Sequence, residues 1–417
     1  MTHALPDSGV DLRSIQRRTL GVLSLAQIVS GVGVAVAVAL SSLYVANLSG
    51  STAISGLAGT ATVLGTALMA LPTAKVAGRS GRRAGLTVAY GVAVLGCLLA
   101  ILSVGVGSWP LLLVALALTG GASAGNLSAR YTATDLAPHG HAARHLSLVV
   151  WSATIGSVAG PNLAEPAAAL GAQLGLSRDA GPFALAALTF ATATIIINLG
   201  LRPDPLLVAR ATNVAGRPEA RSEGGTMREA WQVVWGLSGA RRALVGIAVS
   251  HAVMVSVMSM TPVHLDHGGV GFSAIGVVIS LHIAGMYVLS PVVGWAADRV
   301  GRGTVMAAGM ALLFASAVLA GTAGHDVPRM AAGLAVLGLG WSCGLVAGSA
   351  LLTESVPLES RPAVQGLSDL VMNVCGAAGA LLAGVLVGAT SFPAFTVVVA
   401  VTVAVTALPL VRRPATG

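Results

Sequence analysis

The chain has 417 residues, of which 55% are hydrophobic and 9% charged, with a formal net charge of +8 and a mean hydropathy of +0.85. A water-soluble domain of this length has too little interior for that much apolar surface, so the composition excludes a soluble enzyme and makes a bilayer the solvent. The basic excess does not indicate nucleic acid, because it is spread over loops rather than gathered on one folded face.

Apolar segments of about 20 residues, each long enough to cross about 30 Å of hydrocarbon as a helix, are predicted at 19–45, 51–74, 84–106, 110–135, 146–171, 182–201, 241–265, 272–297, 304–323, 328–353, 362–388 and 392–411. The runs are continuous rather than alternating, and a helix satisfies its own backbone in lipid, so the expected fold is an all-α membrane protein with twelve transmembrane helices. The first segment is too long for a signal-peptide core and no cleavage pattern follows it, so it is expected to remain in the mature protein.

Basic residues set the orientation. With the N-terminus in the cytoplasm, Arg13, Arg17 and Arg18 fall in the tail and Lys75, Arg79, Arg82 and Arg83 in the loop after the second span. The same choice places Arg202, Arg210, Arg217, Arg221, Arg228, Arg241 and Arg242 in the central loop, with Arg144, Arg299, Arg302, Arg361, Arg412 and Arg413 also inside. Only Arg178 and Arg329 are left outside and Arg130 within a helix. Both termini are therefore expected in the cytoplasm of a cell inner or plasma membrane. The single lysine rules out a Gly-x-x-x-x-Gly-Lys-Ser/Thr phosphate loop, so any active transport must draw on an ion gradient or a partner.

The central stretch RPDPLLVARATNVAGRPEARSEGG is rich in Pro, Gly and Arg and is expected to be a flexible linker. Just beyond it, Trp231 and Trp235 share a helical face, which fits either a short interfacial helix or an extension of the seventh span. The predicted organisation is a tail at 1–18, a six-helix bundle at 19–201, a linker at 202–240, a second bundle at 241–411 and a tail at 412–417. Cys97, Cys343 and Cys375 fall within spans at unrelated spacings and are expected to pack as small apolar residues.

Two loops resemble each other. AKVAGRSGRR at 74–83 and GWAADRVGRG at 294–303 align Ala77 with Ala297, Arg79 with Arg299, Gly81 with Gly301 and Arg82 with Arg302. They follow the second and eighth spans, so each is the second loop of a six-helix half and the chain reads as a duplication. Asp135 to Arg144 after the fourth span is answered by Glu354 to Arg361 after the tenth.

With these loops the chain resembles the major facilitator superfamily, twelve-helix secondary transporters with a Gly-x-x-x-Asp-Arg-x-Gly-Arg-Arg loop after helix two. Gly294, Asp298, Arg299, Gly301 and Arg302 fit that pattern, whereas Ala74 and Gly78 stand where the first loop should have Gly and Asp. The resemblance implies two pseudo-symmetric six-helix bundles, a small-molecule substrate, no enzyme activity, no cofactor beyond a proton gradient, and a monomer in the lipid bilayer without nucleic acid. It implies ion pairs between Arg82 and Asp135 and between Arg302 and Glu354 that hold the inner face closed, with the Gly78 substitution removing one anchor to helix eleven. Gly156, Gly160 and Pro161 match part of a helix-five motif associated with drug:proton antiporters, or else let helices pack closely. Leu116 occupies the place of an arginine that many drug exporters carry in helix four.

An ionisable side chain in hydrocarbon costs at least a few kcal/mol, so each is a functional candidate. Ser123, Asn126, Arg130 and Thr134 share one face of the fourth span, and Gln365, Asp369 and Asn373 one face of the eleventh. Arg130 and Asp369 fall at similar depth, and are expected either to pair across a cytoplasmic gate that protonation of Asp369 would loosen, or to make separate contacts within each half. His251 and His282 lie near the midplane, as proton carriers or as neutral histidines bonded to backbone. Met254 and Met258 share the face of His251 and either line a substrate cavity with Asn126, Arg130 and Asn373 or simply pack. Glu165 is either an outer proton acceptor or a solvated helix-end charge. His264, Asp266 and His267 give only a weak cation pattern, and no metal site is predicted. The expected function is proton-coupled efflux of small amphipathic or drug-like compounds. The alternatives are an importer or uniporter of a metabolite and a membrane sensor without transport.

Overall fold

The computed structural model describes residues 11–39, 41–50, 54, 57–173, 175–214 and 226–411. Residues 1–10, 215–225 and 412–417, with Arg217, Arg221, Arg412 and Arg413, lie outside the described set. Among the described residues there is no strand. Where described, every predicted span falls on helix, with 40, 51–53, 55 and 56 of the first two outside the described residues: α1 Leu12–Ala39, α2 Leu57–Ser80, α3 Arg82–Gly105, α4 Trp109–Thr132, α5 Ala142–Gln173 and α6 Gly181–Gly200 in the first half. The second half has α7 Ser238–His267, α8 as Phe272–Tyr287 plus Ser290–Val300, α9 Arg302–Gly321, α10 Val327–Ser355, α11 Arg361–Ala389 and α12 Phe392–Val411. Ten are long and apolar enough to cross a bilayer, eleven with the bent α5 counted whole, and α12 carries a shorter apolar run, Phe392–Leu408.

The halves form two bundles with a core each, and the second core also takes in Tyr131, Leu146 and Val150 from the first half. Leu23, Leu86, Leu116, Phe183 and Phe190 centre the first. Met306, Leu313, Leu334, Leu337 and Trp341 belong to the second. Outward-pointing residues remain apolar, as Leu68, Leu95, Leu381 and Val385 show, because lipid rather than water covers them.

Small residues set how closely the helices approach. A Cβ on Gly156 would lie 2.7 Å from the backbone of Gly31 and Val32, and one on Gly160 would overlap Ala35, so this pair seats α5 on α1. α5 bends by 58° at the Gly-Pro-Asn that follows. Gly156→Leu has no space to relax into along two facing backbones and is expected to cost at least about 1–3 kcal/mol. The check is a lower unfolding temperature in detergent than that of a lipid-facing control such as Leu95→Ala.

The two arginine-glycine turns owe their likeness to backbone geometry. Gly81 and Gly301 occupy the N-cap positions of α3 and α9 at φ 92° and 101°, a region that side chains other than glycine rarely adopt. At Gly81 the carboxylate of Asp204 also fills the space a Cβ would need. Asp204 accepts the Arg83 N–H at 2.8 Å and the N–H groups of Leu206 and Leu207, so it ties the start of α3 to a short helix, Pro205–Val214, at the head of the linker.

The Trp231 helix is distinct from α7. Met227–Gly236 starts on a capping box in which Thr226 and Glu229 exchange hydrogen bonds, and it ends at Leu237 in extended backbone. Ala230 and Val234 are buried, while Trp231 and Trp235 stack on the exposed side with centroids 4.7 Å apart. Cys97 and Cys343 are buried and Cys375 half-buried, all as free thiols.

Candidate functional site

The bundles meet near the end that carries the arginine-rich loops. α2 packs on α11 and α5 packs on the second segment of α8. The two contacts are versions of one another with the glycine exchanged. On the α8 side Gly294 lies so close to Ser147 and Ala143 of α5 that a Cβ would overlap both. On the α2 side Ala74 takes the motif position, and the glycine that admits it is Gly366 on α11.

Inside this seam sit two buried arginines. Arg130 of α4 donates Nη2 to Asp369 Oδ1 of α11 at 2.6 Å, with the side chains 1% and 5% exposed. Its Nε donates to Ser349 Oγ of α10 at 3.2 Å, its Nη2 also reaches the Tyr131 hydroxyl, and its Nη1 has no hydrogen-bond partner. Arg82, at the start of α3, holds Asp135 with both oxygens, at 2.7 and 3.0 Å, and donates to Gln365 Oε1 on α11 at 2.6 Å. Gln365 passes the chain on to Thr353 of α10 at 3.2 Å. The polar stripe of α11 thus divides: Gln365 and Asp369 reach across the seam, while Asn373 turns back to the Asp369 carbonyl at 2.8 Å.

The outer charges of the seam follow the repeat, with one gap. Arg302 pairs with Glu354 at 2.7 Å and with Asp298 at 2.8 Å. Asp298 also accepts the N–H groups of Ala143 and Arg144, capping α5 and completing the positive N-terminal end of that helix. Gly78, the matching position after α2, offers only its carbonyl, which accepts from Arg210 at 2.7 Å. Ser360 at the start of α11 caps no N–H with its side chain. A cavity of about 440 Å³ opens there, lined by Lys75, Gly78, Arg79, Glu229, Glu359 and Pro362. Arg79 is exposed, and Arg299 is also exposed and lies over the Trp295 ring.

Other predicted site residues go to different places. Trp341 Nε1 donates to His251 Nδ1 at 3.0 Å, so that nitrogen carries no proton and the ring is neutral with its N–H on Nε2. The partner is an indole, not the backbone carbonyl expected as an alternative. His282 bonds the Leu334 carbonyl at 2.9 Å and is fully buried, with Nε2 unpartnered. Of the two expectations for Met254 and Met258, the packing one fits where they lie: Met254 sits in the core of the second bundle, 4% exposed, and Met258 packs against the same core half-buried. Asn126 Oδ1 accepts from Ser30 of α1 and Tyr90 of α3, a tie within the first bundle. Glu165 pairs with Arg178, and both are exposed, as solvated helix-end charges are. His264 bonds the Gly324 carbonyl and stacks on Phe392.

Several contributors were not singled out in the sequence. Ser349, Ser368 and Tyr131 are ordinary residues within apolar helices, and only the seam gives them partners. Trp341 carried a signal, an indole N–H in the middle of a span, since a buried donor needs an acceptor.

Two helical bundles meeting over buried, paired charges are the arrangement expected of a membrane transporter. The Major Facilitator Superfamily model matches residues 23–278 and 243–417. A relative from Bacillus subtilis (strain 168), the uncharacterized MFS-type transporter YdeG, is 36% identical over 391 residues, covering 93% of this chain and 89% of the relative. The riboflavin transporter RfnT of Brucella anthropi is 26% identical over 95% of this chain and 96% of its own length. Among solved structures, the human organic anion transporter MFSD10 (TETRAN) superposes with a TM-score of 0.72 at 16% identity, covering 95% of this chain and 99% of that one. The chain belongs to the major facilitator superfamily, a family of multi-pass membrane transporters that are not enzymes and need no cofactor.

Proposed function

We propose that the protein is a proton-coupled secondary transporter that exports small amphipathic compounds by rocking two bundles, at 19–201 and 241–411, about a central site. The observation that carries this reading is the buried Arg130–Asp369 pair, which joins α4 of one bundle to α11 of the other at 2.6 Å. An aspartate that has taken up a proton no longer attracts the guanidinium electrostatically, so protonation loosens the seam and deprotonation closes it. The charge pattern of the loops supports a cytoplasmic location for this seam and for both termini. Asp369 is the proton carrier in this reading. His251 and His282 stay neutral and carry no transported proton in this reading, and the Arg82–Asp135 and Arg302–Asp298–Glu354 groups latch the cytoplasmic face.

A second reading, import or uniport of a metabolite, draws on the relative named a riboflavin transporter. The test uses everted vesicles with an imposed acid-inside gradient, a pH dye and a panel of lipophilic cations, antibiotics and metabolites. Export predicts that a transported compound collapses the gradient in wild-type vesicles and does nothing in Asp369→Asn vesicles. Collapse that persists in Asp369→Asn vesicles removes Asp369 from the proton path. Silence across the panel with folded protein present moves the choice to the second reading.

A further inference from the structure

The chain is poor in aromatics, with six Trp, six Phe and four Tyr, yet three rings converge where α7, α8 and α10 meet. Trp341 of α10 is 4% exposed and fixes two neighbours: it donates its N–H to His251 of α7 and meets Tyr287 of α8 edge-on, with centroids 5.8 Å apart at 82°. His251 and Tyr287 are both only partly buried, although they lie within spans. Arg130 reaches the same α10 at Ser349, about two turns along the helix from Trp341.

The polar inventory of this corner is one-sided. Because His251 Nδ1 accepts from the indole, Nε2 carries the hydrogen and is a donor. The Tyr287 hydroxyl makes no hydrogen bond among the described residues and can donate as well. Arg130 Nη1 is a buried cationic donor without a partner. The nearby carboxylate, Asp369, is already engaged by Arg130. Unused donors in hydrocarbon are costly, and a ligand that offers acceptors relieves that cost.

We infer that the His251–Tyr287–Trp341 corner binds an uncharged planar ring whose edge carries hydrogen-bond acceptors such as ring carbonyls. The ring lies against Tyr287 and His251, and an edge acceptor takes the His251 Nε2–H. Trp341 is a positioning residue that sets the histidine tautomer from behind. This site rests on the transporter reading above and narrows its substrate from amphipathic compounds in general to neutral, acceptor-edged ring systems. It disfavours cations, for which the corner has no free acceptor charge.

The test measures binding to the full chain in lipid nanodiscs by fluorescence anisotropy. The probes are alloxazine, an uncharged tricyclic with ring carbonyls, and ethidium, a planar cation. Alloxazine is expected to bind saturably and at least about tenfold more tightly than ethidium, the worth of one well-placed hydrogen bond. His251→Phe and Tyr287→Ala are each expected to weaken alloxazine about tenfold, whereas His251→Gln, which restores a donor, stays within about threefold of wild type. If His251→Phe fails to fold, Tyr287→Ala decides, with Tyr287→Phe expected to weaken binding less because it keeps the ring and loses only one donor. No saturable binding of alloxazine, ethidium bound as tightly, or folded variants that bind unchanged would each overturn the site. Binding with these sensitivities but no Asp369-dependent proton movement would sink the coupling mechanism and leave the site standing. Coupled proton movement without alloxazine binding would do the reverse.

Discussion

Asp369→Ala is expected to abolish transport and to lower stability by about 3–5 kcal/mol, because it leaves the Arg130 guanidinium buried and without a counter-charge. Arg130 is 1% exposed and already has one unpartnered nitrogen, so water cannot take over from the lost carboxylate without opening the seam. Arg130→Ala should cost a similar amount for the mirror reason. The double variant Arg130→Met/Asp369→Leu separates the two consequences. It removes both charges and fills their volume, so it should unfold near the wild-type temperature while remaining unable to move substrate. Thermal unfolding in detergent and counterflow in proteoliposomes check the two expectations on the same preparations. The charge exchange Arg130→Asp/Asp369→Arg is expected to restore part of the closure lost in either single variant. If Asp369→Ala unfolds like wild type and transports normally, the pair has neither a structural nor a coupling role.

Arg82→Ala is the second large expected effect, and it acts on the balance between conformations. The side chain of Asp135 is fully buried and its ion-pair partner is Arg82, while Gln365 holds α11 to the same guanidinium. Removing it frees a buried carboxylate and releases one bond across the seam, so the population open at the arginine-rich end should rise by about tenfold, or about 1.4 kcal/mol. A cysteine placed at Ser128, which lines the narrow gap between Arg82 and Asp369, reports this as faster maleimide labelling once Cys97, Cys343 and Cys375 have been replaced. Arg82→Lys keeps the charge but loses the fork that holds both Asp135 oxygens, and labelling should be intermediate. Unchanged labelling in Arg82→Ala would mean that this group does not restrain opening.

How much of this was legible in the sequence depends on the range of the interaction. Hydropathy located ten or eleven of the twelve expected spans, because burial in lipid is a property of each segment by itself, while the last is a shorter apolar helix. The four-residue spacing in Gln365, Asp369 and Asn373 marked a polar face correctly, since helical periodicity is local. It could not tell that Asn373 bonds back to its own helix while its two neighbours reach across the seam. The arginine-glycine turns were visible as a repeat, but their cause, glycine φ values near 90–100°, belongs to the backbone. The choice between packing and cavity lining for Met254 stayed open because a helical face does not say which neighbour it meets. Trp341 and Ser349 gained their roles from helices far away in the sequence.

The exchanged glycine has a consequence for how these two halves diverge. Ala74 and Gly366 form one matched pair and Gly294 and Ser147 the other, with the smaller member on opposite partners. Neither residue of a pair can grow alone, yet both can change together without altering the distance between helices. Relatives of this chain should therefore show the two positions of each pair drifting in concert, bulk moving from one helix to its neighbour. A graft of the second loop onto the first, placing glycine at 74, would carry the motif's letters but leave a void against Gly366, closed only when 366 gains a side chain.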